Sequence, residues 1–180
     1  MKLKRIIICL LVIVIAALGI KVGLKKYAFP YKHKDIINEY SKEYNLDPLF
    51  VLSIIKAESN FNSNAHSHKD AVGLMQITGE TGKWIAGQMG IKNYSTSMLY
   101  NEETNIKMGC WYLNNLYKEF KDKNLVISAY NAGRGNVNKW LNDQNYSKDG
   151  KAIHYIPFPE TKNYVERVNV YYKVYKYLYN

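Results

Sequence analysis

The chain has 180 residues, of which 47% are hydrophobic and 14% aromatic, enough to bury one core of ordinary size. Its net charge is +10, but residues 1–26 hold six Lys and Arg and no acid, which leaves residues 27–180 with 19 bases against 15 acids, a net of +4. That mild charge suits an anionic cell-envelope surface. The sequence has no stripe of basic residues accompanied by stacking aromatics, which excludes a nucleic-acid partner.

The first predicted element is an apolar helix. The basic residues of 1–5 precede an unbroken apolar run, 6–20, and Lys21 can snorkel to the headgroups so that the usable stretch extends to Leu24. A membrane-spanning helix needs about 20 apolar residues. We interpret residues 1–26 as an uncleaved signal anchor that crosses the cytoplasmic membrane through residues 6–24. A cleaved signal peptide and a buried helix remain as alternatives, although residues 17–19 offer only a weak cleavage site.

The basic N-terminus is expected to stay in the cytoplasm, which puts the rest of the chain on the outer, cell-wall face of the membrane. Residues 27–34, which include Pro30, are predicted to be a juxtamembrane linker, and residues 35–180 the folded domain. The two cysteines form no disulfide framework, because Cys9 lies in the membrane segment and Cys110 occupies an apolar position of a predicted helix.

Helical spacing of apolar residues dominates everything after the linker. Residues 35–44 form the first predicted helix, and Asp47-Pro48 is a typical N-cap followed by proline at the start of a second, which ends near Ser59. A polar loop is predicted at 60–69. Further helices are predicted at 78–89, from 101 to about 120 and at 124–132. Another follows Gly133 and ends at 141, and the last begins at 159. No strand-like alternation is present, so the predicted fold class is all-α or nearly so.

Glu58 occupies an unusual place for a carboxylate. It falls in the last turn of a predicted helix, where the negative end of the helix dipole disfavours an acid. Phe61 and the strip Leu74-Met75 are expected to cover it, and both effects raise the pKa of the carboxyl, as a general acid near neutral pH requires. A lone glutamate is nevertheless most often an exposed surface residue, so this position alone does not define a site.

Three further segments follow Glu58-Ser59-x-Phe61 along the chain. They are Gly-Leu-Met-Gln-Ile at 73–77, Ser-Ala-Tyr-Asn-Ala-Gly at 128–133 and Ile-Pro-Phe-Pro-Glu-Thr-Lys-Asn-Tyr-Val at 156–165. In this order the four segments resemble the motifs of the soluble lytic transglycosylase family, and the resemblance extends over about residues 35–175. Each motif alone is weak, whereas four in sequence at natural spacing are specific. The resemblance implies a lysozyme-like helical domain, which would follow the predicted N-terminal transmembrane helix.

The resemblance also implies a reaction. Glu58 would be the single catalytic carboxylate, first protonating the oxygen of the β-1,4 bond between N-acetylmuramic acid and N-acetylglucosamine. It would then take the proton of the muramoyl 6-hydroxyl, which closes a 1,6-anhydro ring. No water is consumed, so the second carboxylate of ordinary glycosidases is unnecessary. The expected partner is therefore the peptidoglycan glycan strand, with no cofactor and no metal; partners in the cell wall or a secretion machine are not defined by the sequence.

The remaining motif residues receive their roles from the same resemblance. Tyr130 would hold a phenol near Glu58 or the reacting sugar, as a second catalytic residue. Substrate contacts would come from Ser59, Gly73, Met75, Gln76, Asn131, Glu160 and Tyr164, with Tyr164 and Glu160 forming the far wall of the cleft. Structural alternatives stay open: Met75 as a core residue, Tyr130 as a core tyrosine, and Glu160 as an acid favoured by the first turn of a helix.

Two departures from the family pattern keep other functions open. Ala71-Val72 stands where family members often carry a small polar residue, and Asp70 is placed where an acid could position water in a hydrolytic muramidase. A non-catalytic peptidoglycan-binding or secretion-assembly module is the alternative from another class. His66 and His68 have no fixed third ligand, so we interpret them as loop polarity rather than a metal site.

Overall fold

A computed structural model describes residues 2–180 of the chain. Its α-helices are α1 (Lys2–Gly23), α2 (Lys34–Glu43), α3 (Pro48–Ser59), α4 (Gly79–Met89), α5 (Glu102–Phe120), α6 (Lys123–Ala132), α7 (Arg134–Leu141) and α8 (Pro159–Tyr179). A π-helical turn (Leu24–Ala28) follows α1, and a 3₁₀ turn (Thr96–Tyr100) precedes α5. Two short strands, β1 (Ala71–Val72) and β2 (Ile77–Thr78), pair antiparallel.

Helix α3 is the most enclosed element of the domain. Pro48 opens it, and the carboxylate of Asp47 accepts a hydrogen bond from the Leu49 amide at 2.8 Å. Every residue from Leu49 to Ile55 is buried, as in a helix covered on all sides. Helices α8 and α2 pack against α3, while α6 joins α5 to α8. The residues that follow Ile55 therefore emerge from a rigid core, and Glu58 is among them.

The predicted helix starts are confirmed by their caps. The hydroxyl of Thr78 accepts from the Thr81 amide at 3.2 Å, and the side chain of Asn101 accepts from the Thr104 amide at 2.9 Å. Asp122 caps α6 in the same way, so this helix begins one residue earlier than predicted. Helix α2 lies one residue earlier at both ends than the apolar spacing indicated.

The pair β1–β2 was not predicted. Each strand has only two residues, which is too short for an alternating pattern to be visible in a sequence. The pairing of Ala71 with Thr78 and of Val72 with Ile77 closes a tight loop at residues 73–76. The fold remains nearly all-α, as predicted, and the small ladder holds the second motif next to the end of α3.

Helix α1 contributes no residue to the core. All of its described residues are solvent-accessible, which removes the buried-helix alternative. The helical stretch Lys2–Ala28 is long and apolar enough to cross a membrane, a property that an N-terminal signal sequence shares. Residues 27–34 differ from the predicted linker, because Phe29 and Tyr31 pack against the hydrophobic core. Their rings carry apolar surface that a free linker would leave in water.

Candidate active site

Glu58 lies one residue before the end of α3. Asn60 terminates the helix in the left-handed conformation (φ 49°), and Phe61 follows with φ 65°. Two successive left-handed residues reverse the chain direction sharply. Phe61 is buried in the core after this reversal, so the turn is anchored by packing. Glu58 is left beside a cavity rather than in a continuing helix.

The cavity beside Glu58 has a volume of about 320 Å³. Five residues predicted for the site line it: Glu58, Gln76, Tyr130, Asn131 and Glu160. The lining residues that the sequence reasoning missed include Ser67, Thr78, Thr81 and Tyr112. Ser67 belongs to the polar loop after α3, and the two threonines belong to the start of α4. Their only signal in the sequence was a hydroxyl close to a motif.

Tyr164 makes the direct contact to Glu58. Its hydroxyl donates to the Glu58 Oε1 at 2.5 Å, although the two residues are 106 positions apart. The Tyr164 side chain is buried at 2% exposure, so this hydroxyl has little competing water. The predicted place of Tyr164 on the far wall of the cleft is therefore wrong. It is a buried partner of the carboxyl that the sequence marked as catalytic.

Burial raises the pKa of Glu58 to about 7. The hydrogen bond from Tyr164 and the charge of Arg167 act in the opposite direction, because both favour the carboxylate, while Glu160 adds a smaller upward effect. The predicted direction is thus confirmed, and desolvation is its main cause. A carboxyl with a pKa near 7 is substantially protonated at neutral pH and can donate a proton.

Replacement of Tyr164 by phenylalanine should move the alkaline limit of activity upward. Proton donation needs protonated Glu58, so activity of the native chain should fall as pH rises through about 7. Tyr164 stabilises the ionised form, and its loss should raise the Glu58 pKa further. A hydrogen bond to a charged group is worth about 1.5–3 kcal/mol, which corresponds to about 1–2 pH units. The measurement is the pH dependence of the initial rate on glycan strands.

Tyr130→Phe is the matched control for this experiment. The Tyr130 hydroxyl also lies at the cavity, but it donates to the backbone oxygen of Met75 at 2.7 Å rather than to Glu58. Its removal should leave the alkaline limit in place. Equal shifts in the two variants would contradict a specific role for the Tyr164 hydroxyl.

A buried asparagine holds the loop at residues 73–76. Asn105 of α5 accepts from the Met75 amide at 2.8 Å and donates to the Val72 and Leu99 carbonyls at 2.9 and 2.8 Å. Gly73 has φ +79°, and a Cβ there would lie 2.3 Å from the Asn105 amide nitrogen. Glycine is therefore needed because other atoms of the chain approach its backbone closely, as predicted. The contact is to Asn105 and Leu99, not to substrate, and Gly73 does not line the cavity.

The Met75 side chain points away from the cavity. It is fully buried, and a Cβ on Gly109 of α5 would lie 2.2 Å from its sulfur, so the thioether packs directly on that glycine. The prediction that this side chain lines the saccharide groove is wrong, and the core alternative is right. Met75 contacts Tyr130 through its backbone carbonyl, which accepts a hydrogen bond from the Tyr130 hydroxyl. Burial and the nearby Glu58 carboxylate raise the pKa of Tyr130 well above its usual range.

Three polar residues of the motifs have partners within the chain. The Ser59 hydroxyl donates to the Leu74 carbonyl at 2.8 Å, so it ties the second motif to α3 and does not line the cavity. The Gln76 amide nitrogen donates hydrogen bonds to the Gly73 carbonyl of its own loop and to the Ala65 carbonyl of the loop after α3. Asn131 accepts from the Thr161 hydroxyl at 2.8 Å. Gln76 and Asn131 still face the cavity, and their contacts with sugar remain predictions.

Two other acids differ in their relation to the cavity. Glu160 lines it and forms an exposed ion pair with Lys69, with Nζ and Oε2 3.1 Å apart. Asp70 is 88% exposed and pairs with His66 at 3.2 Å, and it is not among the cavity-lining residues. The position proposed for a water-directing acid is therefore not filled by Asp70.

Similarity to known proteins agrees with this geometry. The family model for the transglycosylase SLT domain matches residues 35–153. The chain belongs to the SLT transglycosylase domain family. Its SLT domain is 34% identical over 152 residues to the soluble lytic murein transglycosylase of Escherichia coli (strain K12), which covers 83% of this chain and 24% of that protein. The predicted family is thereby confirmed.

Two further relatives extend the SLT comparison. Membrane-bound lytic murein transglycosylase C of Shigella sonnei (strain Ss046) is 32% identical over 168 residues, covering 81% of this chain and 47% of that protein. The crystal structure of an inactive glutamate-to-glutamine mutant of the lytic transglycosylase Slt from Pseudomonas aeruginosa superposes with a TM-score of 0.74 at 32% identity, covering 86% of this chain and 25% of that one. The chain thus spans about a quarter of the soluble relatives and about half of the membrane-bound one.

Proposed function

We propose that the chain is a peptidoglycan lytic transglycosylase held at the outer face of the cytoplasmic membrane. The observation that carries the proposal is Glu58, a carboxyl with a pKa of about 7 at a 320 Å³ cavity, hydrogen-bonded to a buried tyrosine in an SLT domain. The curated relatives are named for action on murein, which is peptidoglycan. The substrate is accordingly the glycan strand of the cell wall.

In the proposed reaction, protonated Glu58 gives its proton to the glycosidic oxygen as the bond from that oxygen to the muramoyl anomeric carbon breaks. The hydroxyl of Tyr164 stabilises the carboxylate that remains. That carboxylate then takes the proton of the muramoyl 6-hydroxyl while the 6-oxygen bonds to the anomeric carbon. The proton returns to Glu58, the 1,6-anhydro ring is closed and no water is consumed, so one carboxyl is sufficient.

The same cavity argues against hydrolysis as the main outcome. A hydrolytic glycosidase places a second carboxylate about 5–9 Å from the first to activate water or form a covalent intermediate. Asp70 is exposed and lies outside the cavity lining, and Glu160 is paired with Lys69. This arrangement favours a reaction that needs no second carboxylate.

Product analysis tests the proposal. The full chain is incubated with purified glycan strands, and the released fragments are separated and weighed by mass spectrometry. We expect fragments that end in anhydromuramoyl units, each one water lighter than the reducing-end fragment a muramidase makes. Reducing ends as the main product would replace the proposal by hydrolysis, and no product in the presence of bound glycan would indicate a non-catalytic binding module.

The proposed location follows from the N-terminal helix. Residues 6–20 are apolar, residues 6–24 are solvent-accessible in the isolated chain, and Lys2–Ala28 has the length of a membrane span. A relative with a membrane-bound name has the same domain. With the basic residues at 1–5 retained in the cytoplasm, the SLT domain lies on the cell-wall side.

A further inference from the structure

The segment that follows α1 is bound tightly to the C-terminal helix. The Phe29 ring packs edge-on against Tyr171 and Tyr175, with centroids 5.6 and 5.4 Å away. The Tyr179 hydroxyl donates to the Phe29 carbonyl at 2.7 Å, and the Tyr175 hydroxyl donates to the Pro30 carbonyl at 3.3 Å. The chain thus passes from α1 into the domain through a packed joint at the C-terminal end of α8.

Aromatic and basic side chains pair with one another around this joint. Tyr27 is 77% exposed and Tyr177 is 71% exposed, although both are large aromatic residues. The Lys21 ammonium lies 5.3 Å from the Tyr177 ring centroid, and the Lys26 ammonium lies 5.2 Å from that of Tyr27. Lys25 lies 4.7 Å from the Tyr179 ring in the same way.

We propose that this surface, formed by Lys21, Lys25, Lys26, Tyr27 and Tyr177, lies on anionic lipid headgroups. Tyrosine has an apolar ring and a polar tip, so it is enriched where hydrocarbon meets water. Lysines near an anionic membrane are attracted to its lipid headgroups. The surface adjoins the point where the proposed anchor would leave the bilayer. The inference therefore rests on the proposed membrane anchor.

The contact would fix the distance between the active site and the membrane surface. Tyr164, the partner of Glu58, lies fifteen residues before Tyr179 on the same helix, which at 1.5 Å per residue is about 22 Å. Because the joint is packed rather than flexible, the cavity cannot move far from the headgroups. The substrate would be limited to glycan strands close to the membrane, rather than those throughout the thickness of the wall.

A depth measurement tests the contact in the full chain. Cys9 is replaced by alanine, the buried Cys110 is retained, and a nitroxide label is placed by Tyr177→Cys. Tyr155→Cys is the matched control, since Tyr155 is also an exposed tyrosine (56%) but precedes the opposite end of α8. Each protein is reconstituted in vesicles of phosphatidylglycerol and phosphatidylcholine. The relaxation of the nitroxide spin caused by oxygen, which enters the bilayer, is compared with the relaxation caused by a water-soluble nickel chelate.

We expect the label at residue 177 to favour oxygen over the chelate several-fold more than the label at residue 155. Phe29→Ala, which loosens the joint without touching the catalytic residues, should reduce this difference. Unchanged cleavage of soluble glycan fragments shows that each labelled protein is folded. Equal chelate access at both sites in membrane-bound protein would overturn the surface contact and leave the anchor intact. Loss of the protein from carbonate-washed vesicles would overturn the anchor and the contact together.

Discussion

Glu58→Gln should abolish glycan cleavage while the protein stays folded and still binds glycan strands. Glutamine retains the shape and can still accept the Tyr164 hydroxyl, which donates to Oε1 in the native chain. It cannot donate a proton to the glycosidic oxygen or take one from the 6-hydroxyl. General acid–base catalysis contributes about 10²–10⁴-fold, and the same side chain serves in both steps. Release of anhydromuramoyl fragments and co-sedimentation with peptidoglycan are the two measurements.

The same substitution should raise stability at alkaline pH. The Glu58 pKa is about 7 in the folded chain against 4.5 for an ordinary glutamate, so the folded protein holds the extra proton between these values. Native stability therefore falls as pH rises from 4.5 to 7, and the full cost, about 3 kcal/mol at most, is present above pH 7. Glutamine has no such cost.

Denaturation of the native chain and the Glu58→Gln variant at pH 5 and pH 8 measures this effect. We expect the free energy of unfolding of the variant, relative to that of the native chain, to be higher at pH 8 than at pH 5. A pH-independent stability difference would contradict the raised pKa of Glu58. Turnover that persists in the variant would assign the reaction to another acid, with Glu160 next in position because it lines the same cavity.

Asn105→Leu should produce the largest loss of stability among substitutions outside the cavity. Leucine fills a similar volume but removes all three hydrogen bonds that hold the second motif, to the Met75 amide and to the Val72 and Leu99 carbonyls. A buried polar group left without a partner costs about 1–3 kcal/mol, so the total should be at least about 3 kcal/mol. Chemical denaturation measures the loss.

Asn114→Leu is the control on the same helix, because Asn114 is only partly buried. It should cost much less, within the range of about 1 kcal/mol expected for such sites. A similar loss in both variants would indicate a helix-wide effect rather than a role of Asn105 in holding the Gly73–Gln76 loop. Glycan cleavage by Asn105→Leu at low temperature should also fall, since Tyr130 is fastened to this loop through the Met75 carbonyl.

Local signals determined the helices and marked Glu58 as the candidate acid. Asp47, Thr78 and Asn101 cap amides two or three residues away, so the features that start each helix are adjacent in the sequence. Glu58 attracted attention because the last turn of a helix disfavours a carboxylate, although this position alone did not define a site. The order of four short motifs identified the family, since residue types at given spacing do not require knowledge of packing.

Only the tertiary structure decided which tyrosine donates a hydrogen bond to Glu58. Tyr130 and Tyr164 both belong to the motifs, and nothing in their neighbours distinguishes them. The packing of α8 against α3 brings the Tyr164 hydroxyl to Glu58 across 106 residues, whereas the loop held by Asn105 draws the Tyr130 hydroxyl to a backbone carbonyl. Such long-range hydrogen bonds depend on the positions of whole helices, which local patterns do not specify.

The direction of the side chains in the second motif was decided in the same way. Residues 73–76 form a tight loop with no period, and the left-handed backbone at Gly73 and Gln76 sets which side chain faces the cavity. Met75 turns inward because Gly109 leaves space for its sulfur on α5, and Gln76 is left at the cavity. The sequence by itself determined that this loop carries the motif; the space on a helix more than thirty residues away determined which of its side chains faces the cavity.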